Sequence, residues 1–299
     1  MPDVSISMSM STSTSNAAAR KTRDAAPPSP AVREAKRRQQ QRALLINGGR
    51  ILLLVVLIAV WQLASGSLLS PLVFSSPLAV LRQLLQWIGD GTLWFHTAIT
   101  LQETMLGLLF GIVAGISAGF LLGPQQVLSK ILDPFIIALY SIPKVALAPL
   151  FIVWFGIGLQ MKVILAAVTV FFLVFFNTLA GVRNVDLDLV DAVYLMGGGR
   201  RDIMFKVIIP SATGWVLTGL RIAIPYALIG AIIAELVASN RGIGYLIDAA
   251  AAEFNTAGVF AALVVLTIIA AILNAIVNVI DRKTSRWKAV TGSSGKLVP

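Results

Sequence analysis

The sequence predicts an all-α integral membrane protein with six transmembrane helices, and three observations carry that prediction. Of the 299 residues, 57% are hydrophobic and only 13% charged, whereas a soluble domain carries about a quarter of its residues charged. Six stretches are apolar and long enough to cross the roughly 30 Å of hydrocarbon in a bilayer, at about 43–64, 93–122, 131–151, 162–182, 211–238 and 257–280. The third observation is where the net charge of +10 lies. Arg20, Lys21, Arg23, Arg33, Lys36, Arg37, Arg38, Arg42 and Arg50 precede or enter the first span, and Arg282, Lys283, Arg286, Lys288 and Lys296 follow the last. Basic flanks on apolar spans are the positive-inside signature and suit anionic lipid headgroups, so a membrane rather than a nucleic acid is the implied partner.

In chain order, residues 1–42 are rich in Ser, Thr, Ala and Pro and then in basic residues, without apolar period. A disordered basic cytoplasmic tail is expected there, and the serine-rich start lacks the charged-then-apolar order of a signal peptide. The membrane domain is expected over 43–281. After span one, with Trp61 near its outer end, Pro77 can open a short helix whose Leu78, Leu81, Leu84, Leu85 and Ile88 form one apolar face at the outer surface. Span two carries Gly107, Gly111, Gly115, Gly119 and Gly123 at every fourth position. That ridge lets another backbone come close, and tight packing is favoured over a substrate path. Span three is interrupted by Pro134, Pro143 and Pro149, so bends are expected. Span four follows the turn at Gly156 and Gly158, span five holds Pro225, and a loop containing Arg241–Tyr245 leads to span six and a basic cytoplasmic tail, 282–299.

Six spans put both termini on one side. Inner segments then hold Lys130, Arg183, Arg200, Arg201 and Lys206 besides the two tails, and outer loops hold Arg82, Lys162 and Arg241. Both termini and the loop 183–210 are therefore expected in the cytoplasm. In that loop Asp186 and Asp188 suit a helix start, and Leu189, Val190, Val193 and Tyr194 recur at helical spacing. Gly197, Gly198 and Gly199 stop the helix, Asp202 can cap a second one, and Pro210 marks the return to apolar sequence.

The spacing in this loop carries a resemblance. Asp191-Ala192-Val193, three residues, Gly197, nine residues and Val207-Ile208-Ile209-Pro210 resemble the EAA loop of ABC importer permeases, whose pattern is E-A-A, three residues, G, nine residues, I-x-L-P. Asp191, Val193, Val207 and Ile209 depart from that pattern but keep charge sign or apolar character. Ser141-Ile142-Pro143-Lys144-Val145-Ala146-Leu147-Ala148-Pro149-Leu150-Phe151, then Trp154-Phe155-Gly156-Ile157-Gly158, look like the third-span region of the nitrate, sulfonate, taurine and bicarbonate branch. Arg241-Gly242-Ile243-Gly244-Tyr245-Leu246-Ile247 is similar to that branch's R-G-x-G-x-L-I segment. The resemblance covers roughly Pro77 to Ile280.

The resemblance implies a type I ABC importer permease-like fold in a bacterial inner membrane. It also implies two ATP-binding subunits that hold ATP and Mg, a second permease copy as a homodimer, and a periplasmic or lipid-anchored solute-binding protein. The implied docking residues are Asp188, Asp191, Ala192, Val193, Met196, Gly197, Arg200 and Pro210. The implied solute is small and anionic, sulfonate-, taurine- or nitrate-like, with a small heterocyclic vitamin precursor as the alternative. A secondary transporter would need coupling-ion carboxylates and inverted repeats that are not evident, and a non-transporting scaffold could use the same spans.

No catalytic constellation is found, and no cofactor or metal is expected in this chain. Cysteine is absent, which removes disulfides and thiolate chemistry. The single histidine, His96, lies at a span boundary, where a metal or nucleophilic role would lack partners. Gly292-Ser293-Ser294-Gly295-Lys296 fails as a phosphate loop because Val290 stands where the first glycine is needed and Leu297 follows the lysine. ATP hydrolysis is therefore expected in another subunit. Inside the spans, Glu103, Lys144, Arg221 and Glu235 stand out, since a charge in hydrocarbon is costly. They are read either as a translocation path, Lys144 or Arg221 attracting an anion, or as Glu–Arg and Glu–Lys pairs between helices, the reading favoured.

Overall fold

The computed structural model describes residues 30–65, 70 and 74–284. The expected tails at 1–29 and 285–299, including the run Gly292–Lys296, lie outside them. The chain divides after Trp61 into two compact units. The described part of the first, 30–61, belongs to a helix, α1 (Pro30–Ala64). It starts inside the segment expected to be disordered, with proline in the first turn, where its missing N–H costs nothing.

The second unit contains α2 (Pro77–Gly89), α3 (Thr92–Leu122), α4 (Gln126–Ser141), α5 (Ala148–Phe155), α6 (Leu159–Arg183), α7 (Leu187–Leu195), α8 (Arg200–Ile203), α9 (Ile209–Val237), α10 (Ile243–Ala252) and α11 (Thr256–Thr284). In the described chain five helical stretches are long and apolar enough to cross a membrane, and a bent pair makes a sixth if taken as one broken span. The amphipathic α2 is as expected: the Ser76 hydroxyl accepts from the Ala79 N–H, Val80 and Trp87 are buried, and Leu78, Leu81, Leu85 and Ile88 are exposed.

Helix α6 is the centre of this unit, and glycines bring its neighbours close on two sides. A Cβ on Gly107, Gly111, Gly115, Gly119 or Gly123 of the α3 ridge would lie within 2.4–2.9 Å of Ala166, Val170, Val174, Thr178 or Val182 of α6, in that order. Both series ascend by four, so the two helices run parallel in one fixed register. On the other side the order reverses. Gly181 would strike Trp215, Gly219 would strike Asn177, and Gly230 would strike Ala166, so α9 packs antiparallel to α6. Val170, Val174, Ala223 and Ala227 close the core between the three helices.

Span three bends as its prolines predict, its halves meeting at 84° across Ile142 and Pro143, and three other expectations about the spans are corrected. A residue before proline is pushed to extended angles, and Ile142 takes φ −65°, ψ 126°, ending α4 at Ser141. Lys144, expected deep in a span, therefore opens a 3₁₀ turn, Lys144–Leu147, between the halves. Pro134 stays within α4, and Pro149 sits in the first turn of α5. Second, Lys162 is not in an outer loop but in the first turn of α6, where it is buried. Third, the segment after span five is not simply a loop, because α10 forms there.

Candidate functional site

The loop 183–210 builds a short helical knob. Asp186 caps α7 by accepting from the Asp188 N–H at 3.0 Å. The helix ends where Gly197 takes φ +81°, with the Gly198 N–H donating to the Val193 carbonyl and the Gly197 N–H to that of Tyr194. Only glycine adopts such left-handed angles without penalty, which is why it stands at this turn. Asp202 is not the cap of the second helix itself. Gly199 occupies that position, and the Asp202 carboxylate reaches back to accept from its N–H at 3.1 Å. The second helix does not end at Pro210: α8 passes through a π-turn, Met204–Ile208, straight into α9. A proline cannot donate in the helical ladder and its ring crowds the preceding turn, and the wider π-turn comes just before it.

Leu187, Leu189, Tyr194, Leu195, Met196 and Phe205 are all exposed on this knob. Of the sequence-derived docking residues, Asp188, Asp191, Ala192, Val193, Met196 and Gly197 lie on α7 or at the turn after it, Arg200 opens α8, and Pro210 sits at the root of α9. Beneath the knob is a cleft of about 510 Å³ lined in part by Lys130, Asp133, Arg183, Val190 and Ile208. The Arg183 guanidinium donates to Ser129 Oγ at 2.5 Å and pairs with Asp133 at 3.2 Å, tying the foot of α6 to the start of α4.

At the opposite end of α3 and α6 the glycine ridge is capped by charge. Glu103 is one turn above Gly107 and accepts from Lys162 Nζ at 2.6 Å, both side chains being almost fully buried. Glu235 of α9 sits beside them. It accepts from the Thr100 hydroxyl at 2.7 Å and from the Gly244 N–H at 2.6 Å, while the Ile243 N–H donates to Thr100 Oγ1. Gly242 and Gly244 are required here because a Cβ on either would strike the Glu235 side chain, at 2.0 and 2.7 Å. His96 joins this cluster: the Gly242 N–H donates to its Nδ1 at 2.9 Å, and Tyr245 stacks on the ring at 5.7 Å. His96, Thr100, Glu103, Lys162, Glu235 and the Arg241–Tyr245 segment thus form one polar network joining α3, α6, α9 and α10.

The structure separates the four intramembrane charges. Glu103 and Glu235 belong to that network. Arg221 is half-buried in α9 and has an interaction of its own. Lys144 stands apart at the broken span: its Nζ donates to the Tyr140 carbonyl and lies 4.3 Å from the Tyr140 ring and 5.3 Å from that of Phe172. Among the described residues no carboxylate pairs with it. Sequence reasoning missed Lys162 and His96 as network members. Both are joined to the network by contacts between segments far apart in the chain, which local spacing does not reveal.

The comparisons with known proteins agree with this architecture. Residues 107–286 match the family described as binding-protein-dependent transport system inner membrane component. The chain is 35% identical over 232 residues to the taurine transport system permease protein TauC of Escherichia coli, covering 76% of this chain and 84% of that protein. It is 28% identical over 232 residues to the formylaminopyrimidine transport permease protein ThiX of Halalkalibacterium halodurans, covering 78% and 92%. Among solved structures, an inward-facing form of the MetNI methionine ABC transporter superposes with a TM-score of 0.58 at 21% identity, covering 67% of this chain and 97% of that one. At that identity the likeness is one of fold.

Proposed function

The chain belongs to the binding-protein-dependent transport inner-membrane family, the permease subunits of ABC importers, and from that premise we propose that it moves a small organic anion of the sulfonate or taurine kind into the cell. The motive force is ATP hydrolysis in a separate subunit, which binds ATP and Mg. Two such subunits grip the α7 knobs of two permease copies, and a solute-binding protein delivers the solute to the outer face. Residues 43–281 make up the permease domain, 183–210 its cytoplasmic coupling loop, and both termini are cytoplasmic.

The observation that carries this reading is the knob itself. A membrane protein gains nothing from holding Leu195 and Met196 about 85% exposed on a rigid, glycine-closed turn unless another protein covers them. Asp188, Asp191, Ala192, Val193, Met196, Gly197 and Arg200 are the residues assigned to that contact, and Pro210 fixes the joint with span five. ATP binding closes the nucleotide subunits, and the knobs carry the movement into the spans. In physical terms, two ligands bias one two-state element.

The test is Gly197→Val in the assembled complex. The β-branched side chain is strained at φ +81°, so α7 loses its stop. Solute uptake and co-purification of the ATP-binding subunit are expected to fall at least ten-fold, while membrane insertion, followed by protease protection, is unchanged. Full uptake by this variant would reject the docking role. The likeness to ThiX supports a second reading of the solute as a heterocyclic precursor. Binding of taurine against formylaminopyrimidine by the partner solute-binding protein decides between them.

A further inference from the structure

We propose that Lys144 is an anion-contact site in the translocation path, an ammonium held ready at mid-membrane by aromatic rings and released to the solute as it passes. The inference rests on the anion-import reading above and adds to it the residue that meets the charge.

Depth comes first. Phe172 lies next to the midpoint of the 25-residue α6, and the Lys144 ammonium is 5.3 Å from its ring, so the charge is level with the middle of a helix long enough to span the bilayer. A lysine there is costly and is ordinarily matched by a carboxylate. Lys162, buried in the first turn of α6, follows that rule with Glu103. Lys144 instead makes one bond to the Tyr140 carbonyl and sits over the Tyr140 and Phe172 rings. An ammonium has three donors, so this arrangement leaves capacity for an incoming acceptor. Its ring contacts are also the exchangeable kind, since cation–π attraction is weaker than a charge-assisted hydrogen bond to an anion.

The backbone favours the same role. Lys144 follows the 84° break at Ile142 and Pro143, and non-helical backbone at membrane depth is tolerated where it is buried in protein or lines a water-filled cavity. The residue is half-buried rather than sealed in. Together, a lone cation, a broken span and partial access select a small anion carrying sulfonate-, nitrate- or carboxylate-like oxygens. They disfavour a cationic solute.

The absence of cysteine from the whole chain gives a direct test. Proteoliposomes would hold the complete importer with Lys144→Gln, Lys144→Arg or Lys144→Cys, and labelled taurine would be the probe. Lys144→Gln and Lys144→Cys are expected to lose at least ten-fold in the maximal rate of uptake, with the taurine concentration for half-maximal uptake little changed and ATP hydrolysis retained. Lys144→Arg should keep most of the rate. Treating Lys144→Cys with an ethylammonium methanethiosulfonate restores the charge and should restore uptake. The sulfonatoethyl reagent should not, and the unsubstituted chain treated in parallel should be unaffected. Wild-type rates in Lys144→Gln, or equal effects of the two reagents, would overturn the proposal while leaving anion import standing. A wild-type importer that takes up neither taurine nor nitrate would instead overturn the anion-import reading on which the proposal rests.

Discussion

Along α3 and α6 every fourth residue of one helix meets every fourth residue of the other in unbroken register, whereas between Ser141 and Ala148 the chain turns through 84°. Both regions are apolar and both carry one lysine, yet the lysines are treated in opposite ways. Lys162 is buried against Glu103 at 2.6 Å, but Lys144 rests on two rings and a carbonyl. Small residues at fixed intervals buy close packing, and the charge above them is neutralised within the protein. Proline and the extended residue before it prevent such packing, and the charge there stays available. The same residue type is therefore structural in one place and accessible in the other, because its backbone decides which partners can reach it.

The sharpest way to break this contrast is Lys162→Met, which leaves Glu103 buried without its cation. Removing one member of a buried pair costs about 3–5 kcal/mol, so the midpoint of thermal unfolding in detergent should drop well below that of the parent. The double variant Glu103→Leu with Lys162→Leu should recover much of the loss, since two apolar residues leave no charge stranded. Gly111→Val comes next. Its Cβ would lie 2.6 Å from Val170 and 2.7 Å from the Ala167 carbonyl, and overpacking of this kind costs roughly 1–3 kcal/mol, read as a smaller drop in the same midpoint. The smallest effect on stability is expected from Pro143→Ala. It frees Ile142 from its extended angles and should change stability by less than about 1 kcal/mol, yet slow uptake several-fold as the break straightens. A Pro143→Ala variant as unstable as Lys162→Met would show that the break is a structural joint like the seam.

How much of this was legible in the sequence follows from the range of each interaction. The spacing from Gly107 to Gly123 announced a packing ridge, because its period is local to one helix. The helix that fills the ridge could not be read, since nothing within α3 specifies Ala166 or Val170 as the facing residues. Lys162 was assigned to a loop because it closely follows Gly158, but α6 starts at Leu159 and its first turn is already inside the bundle. The place of His96 in the network was hidden for a similar reason: its contact is a backbone N–H at Gly242, 146 positions away. Of the three prolines in span three, only Pro143 breaks the chain. Pro149 falls in a first helical turn and Pro134 is absorbed within α4, a distinction set by the surrounding backbone. Gly197 was legible because a helix stop is a purely local requirement.

The parallel register of α3 and α6 has one more consequence. The foot of α6 at Arg183 lies a few residues before α7, and its head carries Lys162. A 25-residue helix is about 37 Å long, and clasped by a neighbour along that length it behaves as a double-walled pushrod. A displacement at the Arg183 end would reach the Lys162 end with little lost to bending, leaving the kinked span to yield.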